Sequence, residues 1–193
     1  SGNGKIGVML CGHGSRDIEA IREFDTLSSL LKQRLPEYEV ENGYLEFACP
    51  VIQEGLETLK RKGVKRIATI PGMLFAAGHV KNDLPWEINT FAMANKDLDV
   101  LYGRDLGISP KLLSAAAERI ALAEQAANAH VPRSKTMLLV VGRGTNAPDA
   151  NANISKVACI LWQGMGFGWA ETAYSGVAHP RVNRALERVM PMG

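Results

Sequence analysis

Apolar positions along this chain follow two spacings that take turns. Lys5 to Cys11 is a mostly apolar run that stops at Gly12-His13-Gly14-Ser15-Arg16, the pattern of a buried strand ended by a glycine turn. From Ile18 to Leu35 the apolar residues fall at Ile21, Phe24, Leu27, Leu30, Leu31 and Leu35. That spacing predicts a helix with one buried face, ended by Pro36. Tyr38 to Ala48 reads as a second strand, and Pro50 suits the first turn of a helix that reaches Arg61 and stops at Gly63. Val64 to Pro71 predicts a third strand, and Asn82 to Ala94 a helix with Pro85 in its first turn. Leu98 to Tyr102 predicts a fourth strand, and Ser109-Pro110 opens an Ala-rich helix to about Ala129. Strands that alternate with helices imply an α/β fold with a parallel sheet flanked by helices. Such sheets hold their ligands at the carboxyl ends of the strands.

Beyond a short polar break at Pro132 to Ser134 the pattern restarts, with a strand at Met137 to Val141 followed by Gly142-Arg143-Gly144. Offsetting the chain by 130 positions aligns Val8–Gly63 with Leu138–Gly193 without gaps. Twelve of the 56 pairs are identical, among them Gly12/Gly142, Gly14/Gly144, Tyr44/Tyr174, Ala48/Ala178 and Pro50/Pro180. Chance would leave roughly 6% identity at ordinary composition. The matches fall on turn glycines and the helix-start proline, where the backbone is most demanding. The reading is a duplicated unit: a first α/β lobe at residues 5–130 and a partial second lobe at residues 136–193. The second lobe lacks counterparts of the third and fourth strands, which would leave an open sheet edge. On that reading the natural protein is longer, and roughly 60 to 70 further residues would complete the copy by the 130-residue offset. Ser1-Gly2-Asn3-Gly4, with no initiator Met, reads as the remnant of a proteolytic cleavage.

Composition narrows the function classes. The chain has 193 residues, 22% of them charged and 46% hydrophobic, with a formal net charge of +2. This balance gives no electrostatic case for nucleic acid or a membrane surface as partner. No apolar run is long enough for a membrane helix, and no secretory signal is visible. Cys11, Cys49 and Cys159 are odd in number and form no Cys-x-x-Cys pair. A disulfide framework is therefore not expected, a reducing cytoplasm is the simplest location, and all three read as buried, inert thiols.

Chemistry is concentrated on the first lobe. His13 follows the first strand between two glycines, and His79 follows the third strand, so a parallel sheet would bring both to one edge. Glu46 lies between them near the end of the second predicted strand. A carboxylate on an interior strand needs a partner. Two imidazoles and a carboxylate suit a borderline divalent metal such as cobalt, iron, nickel or zinc, with open positions for exchange. Gly12-His13-Gly14 is neither a dinucleotide fingerprint nor a phosphate-binding P-loop, since Asp17 occupies the third glycine position and no Gly-Lys-Ser/Thr follows. A phosphohistidine role for His13 has only Arg16 in its favour. His130 and His179 have bland readings as a helix-end residue and a loop residue.

Three stretches, Val8 to Arg16, Tyr44 to Pro50 and Pro71 to Pro85, resemble the sirohydrochlorin cobaltochelatase family of ATP-independent class II tetrapyrrole chelatases, with Gly78 to Asp83 the most specific part. The resemblance spans nearly the whole chain and implies a chelatase-like fold of two similar lobes, the second incomplete here, with the tetrapyrrole in a cleft between them. It implies metal-binding and catalytic roles for His13, His79 and Glu46, with Co2+ as substrate metal, Fe2+ or Ni2+ as alternatives, and no organic cofactor. The implied activity is insertion of Co2+ into sirohydrochlorin in cobalamin biosynthesis. A sirohydrochlorin ferrochelatase and a non-catalytic tetrapyrrole or metal carrier are the alternatives. Arg16 and Arg143 are the candidate contacts to the substrate's carboxylates. Arg143 occupies the position of His13 in the second copy, and Gly176 that of Glu46, so the second copy has lost the metal constellation. Many family members carry an acidic residue where this chain has Cys49, and some long members carry a Cys-rich or His-rich tail that is not visible here. The expected assembly is a monomer or a homodimer.

Overall fold

The computed structural model describes residues 5–78, 80–127 and 130–192. Strands β1 (Ile6–Gly12), β2 (Glu39–Tyr44), β3 (Arg66–Pro71) and β4 (Asp99–Tyr102) form one parallel sheet in the order β2-β1-β3-β4. Helices α1 (Ile18–Arg34), α2 (Ile52–Arg61) and α3 (Val80–Ala94) connect them. Successive strand residues face opposite sides. On one side Met9, Cys11 and Ile67 pack with Ile52, Leu56 and Leu59 of α2 and Leu84, Ile88 and Phe91 of α3 in a single core. On the other, Val8 and Leu10 are buried beneath α1, whose Phe24 ring lies close to Gly12 and stacks on Tyr44 at 5.3 Å between centroids.

Several expectations are corrected in detail. The inward line of α1 is Ile21, Phe24, Ser28 and Leu31, of which Ser28 is buried and the others partly so, whereas Leu27 and Leu30 are about half exposed. The predicted face was therefore too wide, and Ser28 turns inward to donate its hydroxyl to the Asn42 side chain at 3.1 Å. β2 ends at Tyr44, four residues earlier than the alternation suggested. Pro50 lies before α2 and not in its first turn: its carbonyl accepts the Tyr44 N–H at 2.9 Å. Pro85 sits inside α3, beyond the first turn.

The second part contains α4 (Pro110–Ala127), β5 (Met137–Gly142), α5 (Pro148–Met165), β6 (Trp169–Tyr174) and α6 (Val182–Val189). β5 and β6 pair in parallel, with Met137 opposite Trp169 and Gly142 opposite Tyr174. That register is the β1–β2 register, Gly7 opposite Glu39 and Gly12 opposite Tyr44, displaced by 130. Among the described residues β5 has one strand neighbour where β1 has two. Its residues Met137 to Val140 are only half buried, whereas Gly7 to Gly12 of β1 are buried. By internal contacts the chain divides into two compact units, Ser1–Gly107 and Ile108–Gly193. The helix α4, read from sequence as the end of the first lobe, thus belongs to the second unit. The Arg133 guanidinium anchors it there by hydrogen bonds of 2.7 to 3.2 Å to the Glu124 carboxylate. Among the described residues no helix is long and apolar enough to cross a membrane.

The expectation of three buried thiols is also corrected. Cys11 is buried and donates weakly to the Met9 carbonyl, whereas Cys49 and Cys159 are exposed. Cys49 lies in a loop and Cys159 on an outward position of α5, where no core face requires them. Burial pushes the Cys11 thiol up to about 12, so its thiolate is scarce at neutral pH. A thiol titration with an aromatic disulfide reagent is expected to count two fast thiols in the native protein and the third only after denaturant is added. Three fast thiols would contradict the burial of β1.

Candidate metal-handling site

The site is built where β1 and β2 reach their carboxyl ends. Their pairing continues past the last strand residues: Leu45 N–H donates to Gly12 O at 2.9 Å and Glu46 N–H to His13 O at 3.1 Å. Glu46 is therefore a loop residue two places beyond β2, and not a strand residue as the alternation implied. The burial cost anticipated for a strand carboxylate does not arise, since its side chain is 35% exposed.

Gly14 is what permits the two loops to meet. Its φ is +93°, and a Cβ there would lie 1.7 Å from the Glu46 carbonyl oxygen. Only a residue without a side chain allows that approach. The result sets the His13 Nε2 3.3 Å from Glu46 Oε1, with the imidazole 34% exposed, while His13 Nδ1 lies 3.0 Å from the Gly14 carbonyl. A ring that donates its Nδ1–H to this carbonyl turns the Nε2 lone pair toward Glu46. Such a backbone bond selects which ring nitrogen can meet a metal. Nitrogen and carboxylate oxygen then face a common point, open to solvent, where a divalent cation can be held or a proton passed.

Asp17 supports this edge by capping α1, its carboxylate accepting the Glu19 N–H at 3.0 Å. Below, the Tyr44 hydroxyl donates to Asp25 at 2.5 Å. Burial and the neighbouring Asp25 carboxylate raise the Tyr44 pKa beyond its ordinary range, so it remains a neutral donor. Beside the His13–Glu46 pair stands Phe47, 53% exposed, with its ring 6.5 Å from the imidazole between centroids and the Arg16 guanidinium 4.9 Å above it. Nothing in the spacing of apolar positions marked Phe47 as a site residue.

His79 lies outside the described residues. Of its neighbours, Gly78 lies between β3 and α3 and Val80 is the first residue of α3. Among the described residues no group of three or more His, Cys, Asp or Glu is placed to hold a metal ion, and the described part of the predicted set is the His13–Glu46 pair. Arg16 is brought beside this pair, its guanidinium 4.9 Å from the Phe47 ring. Arg143 stands at the carboxyl end of β5 in the second unit, its carbonyl accepting the Gly176 N–H at 2.7 Å. The second unit thus keeps the loop geometry of the first with arginine and glycine in place of histidine and glutamate.

These features define a class: a parallel α/β fold that is duplicated, with an imidazole–carboxylate pair at the carboxyl edge of the sheet in its first copy. The CbiX family profile matches residues 7–123 and 137–193, and the chain belongs to that family. A sirohydrochlorin cobaltochelatase of Priestia megaterium is 33% identical over 187 residues, which are 96% of this chain and 60% of the relative. A sirohydrochlorin ferrochelatase of the same organism is 30% identical over 179 residues, 93% of this chain and 65% of the relative. The chain thus spans a little under two thirds of these curated relatives. The structure of SirB from Bacillus subtilis with Fe3+ matches with a TM-score of 0.85 at 24% identity, over 96% of this chain and 71% of that one, a likeness of fold.

Proposed function

We propose that the protein inserts a divalent metal, cobalt by preference, into sirohydrochlorin without ATP. The observation that carries this reading is the His13 Nε2–Glu46 Oε1 approach of 3.3 Å at the carboxyl edge of the sheet, in a chain of the CbiX family. Metal insertion releases two pyrrole N–H protons while the metal exchanges its ligands. An imidazole and a carboxylate on one exposed edge supply both functions, since each can ligate a divalent ion and each can accept a proton. In this reading His13 and His79 hold the incoming metal, and Glu46 is third ligand or proton acceptor. Arg16 and Arg143 take substrate carboxylates, for which guanidinium forks are suited.

Iron is the second reading, favoured by the ferrochelatase relative at nearly the same identity. Ligand type does not separate the two metals, because affinity order is overridden by geometry and availability. The test is multiple-turnover insertion, followed by the visible spectrum of the tetrapyrrole, with Co2+ and Fe2+ in separate anaerobic reactions. Many equivalents of metallated product per protein are expected, faster with Co2+. A plateau near one equivalent with either metal would replace catalysis by carriage, and faster turnover with Fe2+ would exchange the metals.

A further inference from the structure

Phe47 has φ of +65° and is, among the described residues, the one non-glycine residue with a positive φ. For a bulky side chain this conformation is a genuine outlier, and such outliers gather where function holds them in place. The loop itself does not require it. The second unit closes the same loop with the same three backbone hydrogen bonds: Tyr174 N–H to Pro180 O, Ser175 N–H to Gly142 O and Gly176 N–H to Arg143 O, against Tyr44 to Pro50, Leu45 to Gly12 and Glu46 to His13. There Val177 stands in the place of Phe47 with no positive φ. The left-handed residue is therefore particular to the copy that carries the imidazole and the carboxylate.

The residue presents a flat ring at the surface. Phe47 is 53% exposed, 6.5 Å from the His13 ring at an interplanar angle of 39°, with the Arg16 guanidinium 4.9 Å from its centroid. In the second unit Arg143, Asn146 and Val177 replace His13, Arg16 and Phe47, so the whole group is absent together. An exposed aromatic next to a cation recognises a molecule that is flat, apolar on its faces and anionic at its rim.

We infer that Phe47 is a substrate-contacting residue: its ring is the platform on which one face of the tetrapyrrole rests beside His13, with Arg16 reaching a carboxylate on the macrocycle's edge. The inference rests on the proposed substrate class and adds to it the residue that positions the ring. Phe47 performs no proton or metal chemistry in this arrangement.

The experiment is equilibrium binding of metal-free sirohydrochlorin to the full chain, followed by tetrapyrrole fluorescence, for wild type, Phe47→Tyr, Phe47→Leu and Phe47→Asn, together with melting temperatures and KM and kcat. Tyr keeps the flat ring and is expected to bind within about twofold of wild type, while Leu and Asn weaken binding about three- to tenfold. The loss should appear in KM with kcat changed far less, as for a residue that binds without entering the chemical step. Asn tolerates the left-handed backbone, so its melting temperature is expected at or above that of wild type. Leu binding as tightly as Tyr, or a melting temperature in Asn that falls along with affinity, would overturn the platform. Failure of the wild-type protein to bind sirohydrochlorin at all would instead overturn the proposed function.

Discussion

His13→Ala is expected to slow metal insertion by about 100-fold or more while moving the melting temperature by no more than about 2 °C. The asymmetry follows from position. The imidazole is 34% exposed, packs in no core, and is held by the Gly14 carbonyl at 3.0 Å and by Glu46 at 3.3 Å. Its removal opens no buried cavity, but it takes away the ring nitrogen that faces the carboxylate. Glu46→Gln is the companion variant, since it preserves size and hydrogen-bonding capacity and removes only the charge and basicity. It is expected to lose at least about tenfold in kcat. His79→Ala carries the same expectation as His13→Ala on the resemblance of Gly78 to Asp83 to its family. Single-turnover rates with Co2+, measured beside melting curves, decide the matter. Near-normal rates in both histidine variants would remove the site from its proposed role.

Gly14→Ala is expected to be the most damaging small substitution in the first unit. A methyl group at residue 14 would meet the Glu46 carbonyl oxygen at 1.7 Å, and the backbone there has φ of +93°. The obstacle is backbone and cannot swing aside, so one loop must move away from the other. Overpacking and the left-handed penalty for a residue with a Cβ together cost about 2–5 kcal/mol. That corresponds to a fall in melting temperature of roughly 5–20 °C. Because the displaced segment is the one carrying Glu46, insertion activity should be lost even at temperatures where the variant remains folded. Gly144→Ala is the internal comparison: φ is +85° and the nearest atom lies 2.8 Å away, so a smaller fall is expected. A Gly14→Ala variant that melts with the wild type and keeps its activity would show that the close approach does not exist in solution.

The sequence was most legible where backbone demands are strictest. The turn glycines, the order of strands and helices, and the 130-residue repeat all appear in the structure, and the β5–β6 register reproduces that of β1–β2 position for position. The reason is that period and turn chemistry are local properties. Legibility failed where neighbours decide. The predicted strand reaches Ala48, yet β2 stops at Tyr44, whose N–H is taken by the Pro50 carbonyl of the loop that follows. Leu27 and Leu30 match the helical spacing and are still about half exposed, while Ser28 between them is buried. The long helix α4 follows β4 in the chain but packs with the second unit, which no spacing along the chain encodes.

By itself the sequence determined the α/β class, the duplication, the placing of His13 after the first strand, and the likeness to a chelatase family, because each is written in residue type at fixed spacing. The tertiary structure alone decided that Glu46 is a half-exposed loop carboxylate 3.3 Å from His13, that Phe47 stands in a left-handed conformation beneath Arg16, and which of the three thiols is inert. These depend on distances between segments more than thirty residues apart, or on what covers a side chain. Such distances are set by the packing of the sheet and its loops, which a linear pattern does not contain.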